Sequence, residues 1–379
     1  MARTVKHLSL HRIAGAGHDP HKGTELRVVA DVETGVLPVI EAEEAVIRAY
    51  VRQGTWPHRW VTLFILQDLQ PLLNQLHRGA DSLAGLSSDA DGRDPFAASL
   101  GQSLPPGGTT DANQRPVVNV YDLADPTGCH VFVNRRAMAE EGYWDDVLAI
   151  QGLLAHEHAH PLAENATTRA SRRLQLDLSL AHVWQDEAKG WTTDRQTKIH
   201  GLLRVLAATL CVYGPREVYA NEMAIRSGFG EALLYLDRRN VANARRSLAG
   251  RRELHWQLRQ EVAQGTFNAS VADLLLLVGD LKSCLALSIE TAAFYRAGRE
   301  RDARELEAVL EADVFPHLEP ETGQAYVALR EWYMALRPEL TLPELTAWGE
   351  KVLDILAQAL AEKGVTLRYL WGRMDQRAA

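Results

Sequence analysis

Two hydrophobic periodicities divide this chain, and their order along it is the strongest constraint on its fold. Short β-branched segments fall before about residue 135, whereas apolar residues recur at helical spacing through nearly everything after residue 165. Leu26 to Val32 (LRVVADV) predicts a strand feeding a helix from about Pro38 to Arg52, on which Val39, Ala42, Val46, Ala49 and Tyr50 share a face. Val117 to Leu123 and His130 to Arg135 predict a hairpin around the turn-forming Asp125-Pro126-Thr127-Gly128. In Trp60 to Leu76 the run VTLFIL suits a buried strand, but the spacing of Leu66, Leu69, Leu73 and Leu76 favours a helix, and the segment reads as helix. The last helix is well marked: Thr341 and Glu344 have capping-box spacing, Leu345, Trp348, Val352, Leu356 and Leu360 form the stripe, and Gly364 can end it. Strands first and helices after make an α+β fold, predominantly helical, with a small N-terminal sheet and an all-α C-terminal region.

Composition narrows the functional classes. Across 379 residues, 41 Lys+Arg against 49 Asp+Glu give a net charge of −8, which argues against a general nucleic-acid binder. Cys129, Cys211 and Cys284 are far apart and form no CxxC, so neither a disulfide framework nor a thiolate zinc site is expected. The N-terminus shows no apolar core of a signal peptide, and the most apolar stretch, Val271 to Phe294, carries Asp273, Asp280, Lys282 and Glu290. A cytoplasmic protein with no membrane span is the expectation. Gly79 to Pro116, rich in Gly, Ser, Asp and Pro, reads as a long flexible loop inside a first domain of residues 1–245, with an α-helical accessory domain at 246–379.

The chemistry-bearing motif is His156-Glu157-His158-Ala159-His160, an HExxH. On a helix, positions i and i+4 project from one face, so His156 and His160 can present two imidazole nitrogens to one tetrahedral Zn²⁺. Glu157 sits at the rim of that face, where its carboxylate could take a proton from a metal-bound water as general base. Glu217 offers a third ligand in a helical context, and Asn221, one turn on, could hydrogen-bond a ligating imidazole. Two histidines and one glutamate leave a fourth position open, as catalytic zinc sites do. Pro161, directly after the second histidine, deprives residue 157 of its usual amide partner and predicts that the helix ends or kinks there.

HExxH followed by Glu217, Ala220, Asn221 and Ala224 resembles the gluzincin metallopeptidases, locally the HtpX-type and ImmA/IrrE-type members, over roughly Val117 to Phe229. The resemblance implies a zincin-like catalytic domain with a peptide or protein substrate. It implies His156, His160 and Glu217 as zinc ligands, Glu157 as the catalytic base and Asn221 as support for a ligand. It further implies that the strand before the motif, Val131-Phe132-Val133-Asn134, is the sheet edge that receives extended substrate, with Phe132 and Asn134 facing it. The transition-state donor of the family, a Tyr or His, has Tyr219, Tyr213, His182 and His200 as unranked candidates.

Rival readings use the same residues. His156, His158 and His160 would share a face on a strand, and Gly152 to Glu164 fits a first cupin pattern, which would need a β-rich continuation. His158 on a helix points away from His156 and reads as a packed residue. Arg238, Arg245, Arg252 and Arg259 recur at a heptad interval, a cationic stripe that is either solvated and paired or docks an acidic partner. The competing function is therefore a non-enzymatic helical binding or scaffold protein with a structural or incidental metal site.

Overall fold

The computed structural model describes residues 5–15, 23–69, 115–182 and 189–373. The chain is α+β and predominantly helical, with a small sheet near the N-terminus. It forms two compact units, one of Met1–Leu162 with Met223–Leu233 and one of Ala163–Glu222 with Leu234–Ala379.

The first unit is built on five strands: β1 (His7–Ile13), β2 (Thr24–Ala30), β3 (Trp60–Leu66), β4 (Val117–Tyr121) and β5 (Gly128–Asn134), in the order β1-β2-β3-β5-β4. β2, β3 and β5 run parallel, and β1 and β4 lie antiparallel at the two ends. Parallel neighbours need a crossover, and α1 (Val36–Arg52) supplies it between β2 and β3. Gly35 starts this helix at φ 77°, a backbone region where a Cβ would be strained, and the Trp144 ring occupies the place of that Cβ.

Trp60–Leu66 is thus a strand and not a helix. It is paired on both sides, by β2 and by β5, and its Val61, Leu63 and Ile65 are wholly buried. Burial on both faces removes the alternation that marks a strand, and the leucine spacing that suggested a helix continues past Leu69 into residues outside the described ones. The expected hairpin is present as β4 and β5, in register from Val117↔Val133 to Tyr121↔Cys129. The Gly79–Pro116 loop lies outside the described residues except for its last two.

Two more helices complete what matters for the site: α2 (Arg135–Glu140) and α3 (Val147–Leu162), which carries the HExxH. The Asp146 carboxylate accepts the Ala149 N–H at 3.1 Å and starts α3. The helix runs through Pro161 and ends at the next residue, Leu162.

The second unit is mostly helical but not all-α. β6 (Leu174–His182) pairs antiparallel with β7 (Val365–Arg373), from Leu174↔Arg373 to His182↔Val365. The period-two run Leu174, Leu176, Leu178, Leu180 carried the signal for β6, and its partner lies at the far end of the chain. The terminal helix has the expected reciprocal capping box of Thr341 and Glu344, a buried stripe of Leu345, Trp348, Val352, Leu356 and Leu360, and Gly364 at φ 73° after it. The helix Gly230–Ala263 runs through Gly250, and three arginines of the predicted stripe pair with neighbouring acids: Arg238 with Glu305 at 2.6 Å, Arg245 with Asp313 at 3.3 Å and Arg259 with Asp273 at 2.8 Å; the fourth, Arg252, is exposed, and its neighbour Arg251 pairs with Asp280 at 2.7 Å. Among the described residues no helix is long and apolar enough to cross a membrane.

Candidate metal centre

Helix α3 has a buried side made by Ile150, Leu154, Ala155, His158 and Ala159. α1 packs against that side and fixes it by two polar contacts. The Tyr50 hydroxyl donates to the Ala155 carbonyl at 2.8 Å, and Glu43 Oε1 lies 2.7 Å from His158 Nε2, both side chains being 0% exposed. The middle histidine of the motif is therefore a packed residue, as its helical phase implies, and the cupin arrangement of three histidines on one strand face does not occur.

A polar seam continues behind His158. Trp56 meets its ring edge-on at 5.0 Å and donates through Nε1 to Thr24 Oγ1 at 2.9 Å; Thr24 in turn donates to the His58 carbonyl at 3.0 Å. His58 donates from Nδ1 to the Pro126 carbonyl at 2.8 Å. Burial, and then the nearness of His158, pushes the His58 imidazole down to about 4, with the bond to Pro126 acting in the opposite direction. The folded protein keeps His58 neutral where the unfolded chain, at 6.5, takes up a proton. The stability is therefore fully present above the unfolded value and is lost as pH falls toward the folded one, by at most about 3 kcal/mol from this group. Urea unfolding at about pH 7 and about pH 5 should show a loss of about 2 kcal/mol from His58. His58→Asn, which keeps a donor for Pro126 and does not titrate, should remove that part of the slope; an unchanged slope would show that other groups set it.

On the half-buried side of α3, His156 and His160 turn their Nε2 atoms toward each other at 3.2 Å, with ring planes 83° apart. Two nitrogens bound at 2.0–2.1 Å to one tetrahedral ion stand about 3.3 Å apart, so the pair already has the spacing of shared ligands. The same contact suits an N–H···N hydrogen bond between the two rings. Ligand atoms of His156, Glu157 and His160 all lie within 4.8 Å of one another, a group that could hold a metal ion. Glu157 is next to β4: the Asn119 N–H donates to its Oε2 at 3.2 Å, and the Asn119 side-chain amide donates to its carbonyl oxygen at 3.2 Å.

The chain matched no family model, no curated protein and no solved structure.

Glu217 and Asn221 lie on the helix Gly214–Ala224 and belong to the second unit. There Glu217 stands close to Glu290, whose carboxyl is pushed well above the usual carboxylate range by burial first and by the charges of Asp237 and Glu217. Tyr219, Tyr213, His182 and His200 are also in the second unit. Tyr219 donates to the Leu336 carbonyl at 3.1 Å, and the His200 ring to the Leu178 carbonyl.

One expectation is overturned by the sheet order. Phe132 and Asn134 do not sit on an edge, because β5 is paired with β3 on one side and β4 on the other. Phe132 stacks on Phe64 at 4.8 Å, and Asn134, 0% exposed, accepts from the Ala137 N–H to cap α2. Either strand of a hairpin can be the outer one, and only tertiary pairing decides; the strand at this end of the sheet is β4. Asn119 and Glu43 escaped the sequence reading. A polar residue inside the apolar run VVNVY was the signal for Asn119; Glu43, on the apolar face of its helix, was the signal for the other.

Proposed function

We propose that the protein is a zinc-dependent metallopeptidase with a zincin-like catalytic unit, in which His156 and His160 hold the ion and Glu157 acts as general base. The observation that carries this reading is the convergence of the two Nε2 atoms at 3.2 Å beside the Glu157 carboxylate. A mixed sheet with an antiparallel end strand, and a motif helix lying against that strand, supports it. The donor set suits the ion: two neutral imidazoles and carboxylate oxygen are the ligand types that borderline-soft Zn²⁺ takes. When bound, zinc would supply Lewis-acid polarisation of a carbonyl and acidification of a water. The rest falls to the chain. Glu157 accepts the proton of the attacking water and returns it to the leaving amine. The third ligand that the gluzincin resemblance implies is Glu217, with Asn221 steadying a ligating imidazole.

Elemental analysis tests the centre directly. The purified protein should carry about one zinc per chain, His156→Ala and His160→Ala should carry none, and Glu217→Ala should lose its zinc to a chelator that the parent resists. Zinc content that is unaffected by His156→Ala would place the ion elsewhere and end this reading.

A further inference from the structure

We propose that Asn119 is the residue that positions Glu157, and that Pro161 is what gives it that role. The proposal rests on the metal-centre reading above. Inside an α-helix the carbonyl of residue 157 accepts the amide hydrogen of residue 161. Pro161 has none, and it stands within α3, so the Glu157 carbonyl lacks its helical donor. The Asn119 amide, reaching over from β4, donates to that carbonyl at 3.2 Å, while the Asn119 main-chain N–H donates to the Glu157 carboxylate, also at 3.2 Å. One residue thus holds Glu157 at its backbone and at its side chain.

The orientation of the amide follows from its partner, since only the NH₂ group can face a carbonyl oxygen. Asn119 is 1% exposed between the apolar Val118 and Val120, and its Oδ1 is buried without a hydrogen-bond partner. A buried amide with an unsatisfied oxygen is destabilising in a strand that valine would fill. What offsets that cost is the bond its other end makes to a carbonyl that Pro161 leaves without the amide donor of a regular helix. A strand residue with no such role would be indifferent to the identity of residue 161, which separates the two explanations.

The test is a double-mutant cycle in the full-length protein between Asn119→Ala and Pro161→Ala, the second of which restores an N–H four residues beyond Glu157. Alone, Asn119→Ala should lower the Tm by about 3–8 °C; in the Pro161→Ala background the loss should shrink to about a third of that. Equal losses in the two backgrounds overturn the proposal. Should Asn119→Ala fail to fold, recovery of a folded chain on adding Pro161→Ala supports it, and failure in both backgrounds overturns it.

A second readout uses zinc-loaded protein and acetohydroxamic acid, a chelator whose acidic proton a carboxylate beside the ion takes up. Asn119→Ala should bind this probe about tenfold more weakly while holding zinc to within about threefold, and Pro161→Ala should restore most of the difference. In a Glu157→Gln background Asn119→Ala should have no further effect on probe binding. A protein that binds no zinc overturns the metal reading and the positioning role together. Zinc binding with no coupling between residues 119 and 161 overturns the positioning role alone.

Discussion

Glu157→Gln is expected to keep its zinc and to cut peptides about 10²- to 10⁴-fold more slowly, the range that loss of a general base produces. The amide has the size and shape of the carboxylate, and its Oε1 can still accept the Asn119 N–H, so α3 and β4 should stay as they are. What it cannot do is take a proton from water. His156 and His160, the residues that would hold the ion, are untouched. The measurement is cleavage of casein or a peptide library by zinc-loaded parent and variant, with zinc content determined on the same samples. Parent-level cleavage by the variant would remove Glu157 from the mechanism, and zinc lost along with activity would recast it as a ligand.

The largest expected effect on stability lies on the other side of the same helix. Glu43 and His158 are 2.7 Å apart and both 0% exposed, so Glu43→Ala leaves a buried imidazole nitrogen with no partner. Breaking a buried pair from one side costs about 3–5 kcal/mol, well above the typical core substitution. Glu43→Gln, which keeps an oxygen to accept from His158, should cost less than half as much. The pair also sets the rotation of α3: with His158 pinned to α1, His156 and His160 two residues to either side must face away from α1. Glu43→Ala should therefore also weaken zinc binding, although Glu43 lies on a different helix from the candidate ligands. Urea unfolding of the metal-free proteins gives the first quantity and chelator competition the second. A loss under about 1 kcal/mol would mean that water or another side chain takes the place of Glu43.

How much of this was legible in the sequence depends on how local each interaction is. The HExxH geometry needs one turn of helix, and the capping box of Thr341 and Glu344 spans four residues, so both could be read directly. The β4–β5 hairpin was legible because a turn joins its strands. Which of the two strands lies outside was not, since β3 comes from far upstream, and so Phe132 and Asn134 were assigned to an edge they do not occupy. Trp60–Leu66 misled because a strand buried on both faces loses its alternation and the leucines beyond it kept helical spacing. β6 carried its alternation openly, yet a lone alternating run has no meaning until β7, at the opposite end of the chain, pairs with it. The Glu43–His158 contact joins residues of the same two helices the sequence did foresee, but pairing α1 with α3 is a tertiary fact. Pro161 was legible as a disturbance; its compensation by Asn119 was not, because the donor comes from a strand.

The first unit is discontinuous, closing with the returning segment Met223–Leu233. That segment brings Ser227, which donates to Gln53 at 2.9 Å, and Phe229, whose ring lies 5.8 Å from that of Tyr50, the residue that also holds Ala155 of α3. During synthesis the histidine pair therefore leaves the ribosome long before the helix behind it gains its last neighbours. Everything from Ala163 to Glu222 must be translated in between, so a chain arrested at Leu162 would carry the whole motif on a scaffold whose far side is still bare.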